Sequence, residues 1–295
     1  MDTSLAHDLG RIGIWSMALR TDDPARRGAI TETAKELETL GYGALWIGGS
    51  PGVEQAVPLL DATTGLTVAT GILSIWDHEP EGVAAAFAEV NAAHDGRFVL
   101  GLGVSHSALT DRYQRPVEAM VRYLDALDGA PVPVPAERRV LAALGPRMLR
   151  LARDRAAGAH PYLVTSDHTA TARELLGEAS VLAPEFKVVL DTDAERARAR
   201  ARAYLSGYLA LENYVRSFRR FGFGDEDFAD GGSDRLLDAV FATGDAETIA
   251  RRVNAFLASG ANHVAIQVVT DDTGADLPLD AYRALASALG LGGGA

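Results

Sequence analysis

Arg97-Phe98-Val99-Leu100-Gly101-Leu102-Gly103-Val104-Ser105-His106-Ser107 carries the pattern from which the rest of the chain is read. Phe98 to Leu100 form an apolar run of the length and composition of a buried strand. Gly101 and Gly103 let the backbone bend close to a ligand without Cβ collisions. Ser105 and His106 would then project a hydroxyl and an imidazole from the strand's carboxyl end.

The same grammar of apolar strand, glycine-rich or polar exit and amphipathic helix extends in both directions. Upstream, strands are expected at Arg11–Trp15, Ala44–Ile47 and Leu66–Ile72, the second leaving through Gly48-Gly49-Ser50-Pro51-Gly52. Between them Ile30, Ala34, Leu37 and Leu40 recur at helical spacing before Gly41, and Pro80 opens a helix whose apolar face is Val83, Phe87 and Val90. Downstream, a helix over about 117–127 and a Pro131–Pro135 connector lead to a strand at Arg139–Leu144, with Pro146 opening the next helix. Further strands are expected near Gly158–His160, at Phe186–Leu190 and at Asn262–Val269, followed by a final helix with Pro278 in its first turn. Eight strands alternating with helices at this length predict an α/β fold of the (β/α)8 TIM-barrel type. Residues 1–295 are read as one domain, with a helical insertion at about 193–240 between the seventh and eighth strands and a flexible tail at about 290–295.

The bulk composition narrows the chemistry. With 295 residues, 47% apolar and 23% charged, the chain has enough apolar material for a large core. It has no cysteine, which excludes disulfides, thiolate metal sites and cysteine nucleophiles. A net charge of −12 argues against a nucleic-acid backbone binder. One small anion needs only backbone N–H groups and an arginine, so an anionic ligand stays open. No apolar run reaches a membrane span and no signal segment is visible at the start, so cytoplasm is the expected location.

Leu40-Gly41-Tyr42-Gly43-Ala44-Leu45-Trp46, Thr70-Gly71-Ile72, the Gly96–Gly103 stretch and Leu144-Gly145-Pro146-Arg147-Met148-Leu149 occur in an order and spacing that resembles the bacterial-luciferase-like superfamily. Within it the chain is most similar to the branch that uses the deazaflavin coenzyme F420. The resemblance covers about residues 11–289. It implies a cofactor ring lying across the carboxyl ends of the strands, and a non-proline cis peptide at Gly71–Ile72 bulging behind that ring. It also implies a cofactor phosphate at Gly145, Pro146, Arg147 and Met148, where a helix N-terminus presents unpaired N–H groups. Ser50, Gly103, Val104 and Ser105 complete the expected cofactor contacts.

The chain departs from that pattern at two places. The Asp-His pair that often follows the second strand in the deazaflavin branch is replaced by Gly49-Ser50, and His106 stands where many members carry a carboxylate. His106 is therefore the candidate proton-transfer group, since an imidazole titrates near working pH; its alternative is a rim histidine that shapes the pocket. Trp15, Trp76 and His160 are expected to wall the substrate pocket, whereas Trp46 and His94 read as packing residues. Arg196, Arg198, Arg200 and Arg202 read as a solvated helix surface, with a landing site for the coenzyme's anionic tail as the sharper alternative. Histidine spacing supports no metal site. Ser105 lacks the Gly-x-Ser-x-Gly elbow of a serine hydrolase.

The expected activity is F420-dependent hydride transfer to or from a small organic substrate. The alternatives are an FMN-dependent two-component monooxygenase on the same fold, or a non-catalytic deazaflavin- or flavin-binding protein. The partner expected is a small-molecule substrate, with no nucleic acid and no membrane, and a homodimer is the candidate assembly.

Overall fold

Strands buried on both faces run as near-continuous apolar segments, and here they assemble a parallel barrel. The computed structural model describes residues 5–105 and 115–292. The strands are β1 (Ile12–Ser16), β2 (Ala44–Ile47), β3 (Thr67–Thr70), β4 (Leu73–Ser74), β5 (Phe98–Gly103), β6 (Arg139–Leu141), β7 (Gly158–Ala159), β8 (Val181–Leu182), β9 (Glu185–Leu190), β10 (Phe241–Gly244) and β11 (Val264–Val268). They pair in the order β10-β9-β11-β1-β2-β3-β5-β6-β7-β8, with β4 beside β5.

Two residues close the ring. Between β8 and β9, the Ala183 N–H donates to the Ala159 carbonyl at 2.9 Å, and the Pro184 carbonyl accepts from Ala265 N–H at 3.0 Å. β8 and β9 are thus one stave, bonded to β7 on one edge and to β11 on the other. With β3 and β4 counted as one stave and β10 lying along β9, the sheet is the expected α/β barrel.

Side-chain alternation divides the core. Ile12, Ile14, Leu45, Ile47, Val68, Phe98, Leu100 and Leu102 point outward and are packed with helix residues such as Leu37, Phe87, Leu124 and Phe256. Trp15, Trp46, Ala69, Val99, Val140 and Ala265 fill the barrel's inside. Trp46 is fully buried, its indole N–H donating to His263 Nε2 at 3.0 Å while the ring stacks on His160.

The glycines of the opening stretch have a different reason from the one expected. β5 continues through Gly103 and no turn begins at Gly101. A Cβ at Gly101 would lie 2.0 Å from the Thr70 carbonyl oxygen, and one at Gly103 would lie 2.3 Å from Ile72 Cδ1. Both positions are empty so that neighbouring staves can approach, and Thr70 Oγ1 then ties them by accepting from Gly101 N–H at 2.9 Å.

The insertion contributes helices Ala194–Leu209, Glu212–Arg220 and Asp234–Val240 before β10. Its apolar residues, Ala201, Leu205, Tyr214, Phe218 and Leu236, share a core with Leu163, Val189, Phe241 and Val269 of the barrel. The arginine run of its first helix is fully engaged with carboxylates. Arg196 binds Asp191, Arg198 binds Asp238, Arg200 binds Asp271 and Arg202 binds Asp234. None of the four lines the cavity described below, so the solvated-surface reading is the one the structure supports. At the other end of the chain, Gly290 and Leu291 N–H groups bond back to Ser287 and Ala286 and so cap the last helix rather than hang free; residues 293–295 lie outside the described residues.

Candidate cofactor-binding cavity

The carboxyl ends of the staves open into a cavity of about 820 Å³ that the insertion roofs. Ser50, Gly71, Ile72, Gly103, Val104, Ser105, Gly145, Pro146, Arg147 and Met148, all of the residues nominated for the cofactor, line it. Trp15 and His160 line it too. The Gly71–Ile72 peptide is cis, as the resemblance implies.

Each edge of the cavity is held by a specific contact. The Trp15 indole N–H donates to the Gly71 carbonyl at 2.7 Å, which fixes the backbone just past β3. Ser50 sits in the left-handed region, and its Oγ accepts from Ser74 N–H at 3.0 Å and reaches Asp77 at 3.3 Å. Without the expected acid–base pair, this loop offers a hydroxyl already spent on structure.

The helix Pro146–Arg155 begins at the cavity wall, with Gly145 as its N-cap. N–H groups of a helix's first turn lack intrahelical acceptors and attract anions. Arg147 is largely exposed and bound to Glu118 at 3.1 Å. Facing Gly145 from the insertion is Arg220, whose Nη1 would stand 3.3 Å from a Cβ there. Among the described residues Arg220 forms no ion pair. Sequence reading missed it, since nothing in the spacing of helix Glu212–Arg220 shows which face overhangs the mouth.

His160 is buried, and its Nδ1 lies 2.6 Å from the Ala183 carbonyl, so Nδ1 carries the proton. Nε2 is then a bare acceptor, without a partner among the described residues. Burial pushes its pKa down to about 3. The imidazole is neutral at working pH and serves as an acceptor, not an acid. His106, the candidate proton-transfer group, lies outside the described residues.

Trp76 does not line the cavity. Its indole N–H donates to the Val104 carbonyl at 2.5 Å, and its ring packs against the main core. It braces the β5 exit from behind instead of walling the pocket. The aromatic wall comes instead from Tyr162, just past β7, and from Tyr208 and Tyr214 of the insertion. The Trp15 and Tyr162 rings are 5.1 Å apart, and Tyr208 meets Tyr214 edge-on at 5.4 Å.

Residues 11–125 match the luciferase-like monooxygenase family. No curated protein sequence matches this chain. Among solved structures it is similar to an F420-dependent secondary alcohol dehydrogenase in complex with an F420–acetone adduct, at 13% identity and TM-score 0.73 over 96% of this chain and 99% of that one. It is also similar to the coenzyme F420-dependent tetrahydromethanopterin reductase of Methanopyrus kandleri, at 15% identity and TM-score 0.70 over 95% and 98%. A third is the oxygenating constituent of 3,6-diketocamphane monooxygenase from Pseudomonas putida in complex with FMN, at 16% identity and TM-score 0.63 over 94% and 96%. At these identities the likeness to the two F420-dependent enzymes and to the FMN complex is one of fold. No helix among the described residues is long and apolar enough to cross a membrane.

Proposed function

We propose that this protein is a luciferase-like, F420-dependent oxidoreductase acting on a small organic substrate. The observation that carries the reading is the meeting of every nominated cofactor residue in one cavity with a cationic, helix-capped end. There the N–H groups of helix Pro146–Arg155 and the guanidinium groups of Arg147 and Arg220 suit a phosphate. Gly145 leaves the space between helix start and Arg220 open, which a Cβ would narrow. The donor set therefore fits the phosphate of either cofactor. Arg216, also in the lining, adds positive charge that suits the carboxylates of the deazaflavin's tail, which FMN lacks.

When bound, the deazaflavin supplies or accepts hydride, and the protein supplies position and electrostatics. Gly71, Ile72 and Gly103 form the backing surface, held by Trp15. Val104 and Ser105 border the polar edge, and the buried, neutral His160 backs the base of the cavity. Tyr162, Tyr208 and Tyr214 cover the site and exclude water.

Titration of the purified protein with F420 and with FMN tests this reading. F420 should bind more tightly, and Arg220→Glu should weaken it about tenfold or more. Tighter binding of FMN, or an unchanged F420 affinity in the variant, would overturn it.

A further inference from the structure

A closed group of hydroxyls stands where the cavity meets the insertion. Tyr162 Oη lies 3.0 Å from Tyr204 Oη, 2.8 Å from Tyr208 Oη and 3.0 Å from Gln267 Oε1. Gln267 Nε2 donates to Tyr204 Oη at 2.7 Å, and Tyr204 and Tyr208 hydroxyls are 3.3 Å apart. Beneath them the Lys187 ammonium sits 3.6 Å from the Tyr162 ring centroid, paired with Glu185 at 2.7 Å.

Each phenol has one proton, and counting them assigns the cluster. Gln267 Oε1 takes the Tyr162 proton. Tyr204 accepts from the Gln267 amide and donates onward to Tyr162 or Tyr208. The Tyr208 proton alone is uncommitted. With it turned toward Tyr162, Tyr208 offers the cavity an acceptor; with it turned outward, Tyr208 offers a donor and accepts from Tyr204. An alcohol donates where the matching ketone only accepts, and this hydroxyl satisfies both.

The surroundings carry no net charge, since Lys187 and Glu185 neutralise each other. Burial raises the pKa of Tyr162, Tyr208 and Tyr214, so the phenols stay neutral. The charged side chains of the described lining are occupied elsewhere. Asp77 is held at Ser50, and on the cofactor reading Arg147, Arg216 and Arg220 serve the phosphate and tail of the cofactor.

We propose that Tyr208 is the substrate-recognition residue, reading the oxygen of an uncharged alcohol or carbonyl compound whose apolar body lies against Trp15, Tyr162, Tyr214 and Leu211. This rests on the F420 reading above. A carboxylate or an ammonium in the same place finds no counter-charge.

The test is calorimetric, on wild-type protein loaded with F420, using cyclohexanol, cyclohexanone, cyclohexanecarboxylate and cyclohexylammonium as probes. Both neutral probes should bind at least tenfold more tightly than either ion. In Tyr208→Phe, affinity for both neutral probes should fall about tenfold, with F420 affinity unchanged. The unchanged F420 affinity shows that the variant is folded. Equal binding of a charged probe, no binding of the neutral probes, or neutral-probe affinities unaltered in Tyr208→Phe would each overturn the proposal. Failure of the wild-type protein to bind F420 in the loading step would instead overturn the cofactor reading.

Discussion

The Trp15 indole joins two staves that are not neighbours in the sheet: its N–H donates at 2.7 Å to the carbonyl of Gly71, past the intervening β2. The ring is buried between that carbonyl and Tyr162. Trp15 therefore holds the floor of the cavity and supports its aromatic wall.

Replacing Trp15 by Phe keeps a ring and leaves the Gly71 carbonyl without its donor. An unsatisfied buried acceptor costs about 1–3 kcal/mol. Urea denaturation should show a loss of that size, accompanied by weaker F420 binding. Unchanged stability and affinity would show that the indole N–H is dispensable.

Arg147 and Arg220 should differ in weight. Arg147 is 69% exposed in its side chain and already bound to Glu118, so water and that carboxylate screen it. Arg147→Glu should weaken F420 about threefold, clearly less than Arg220→Glu. A larger effect at Arg147 would place the phosphate on the outer face of the helix.

Much of this site was legible because it is built from stave ends. Gly71, Ile72, Gly103 and Gly145–Met148 each follow an apolar run, and in a parallel barrel all such ends share one rim. The roof was not legible. Tyr208, Tyr214 and Arg220 belong to the insertion, where helical spacing gives a face but not what that face overhangs. Trp76 illustrates a related limit: an indole at a strand end suits a pocket wall or a brace, and only the Val104 carbonyl decides between them. The arginine run has the same character, since Asp271 is 71 residues from the Arg200 it neutralises. The glycines of β5, read as the strand's bending exit, belong to the strand itself, and their reason lies in Thr70 and Ile72 on the adjoining stave, contacts invisible within one segment.

Acid should destabilise the fold in a defined window. Burial holds the imidazole of His160 at a pKa of about 3 and those of His168 and His263 at about 4, against an ordinary 6.5. The unfolded chain takes up these protons near pH 6.5, and the folded chain only near 3 to 4. Their stabilising contribution is therefore complete above about 6.5 and is lost as pH falls toward 4. Each imidazole contributes a slope of about 1.4 kcal/mol per pH unit inside the window. Denaturation midpoints measured from pH 7.5 to 4.5 should fall steadily below 6.5, and His168→Gln should flatten the curve. A midpoint constant to pH 5 would show that these imidazoles are protonated in the folded state.

The buried pair under Tyr162 gives the sharpest stability prediction. Glu185 Oε2 binds Lys187 Nζ at 2.7 Å and Leu163 N–H at 3.1 Å, and both side chains are fully shielded from water. Burial lowers the lysine's pKa and raises the carboxylate's, and mutual attraction opposes both shifts. Glu185→Gln preserves shape but strands an ammonium in the barrel, a change that costs about 3–5 kcal/mol. Removing both charges, as Glu185→Leu with Lys187→Met, leaves neither ion unpaired and should be less destabilising than the single change. Urea denaturation of the three proteins separates the cases. A double variant weaker than Glu185→Gln would mean that the pair contributes more through its bonds to Leu163 and Tyr162 than it costs in desolvation.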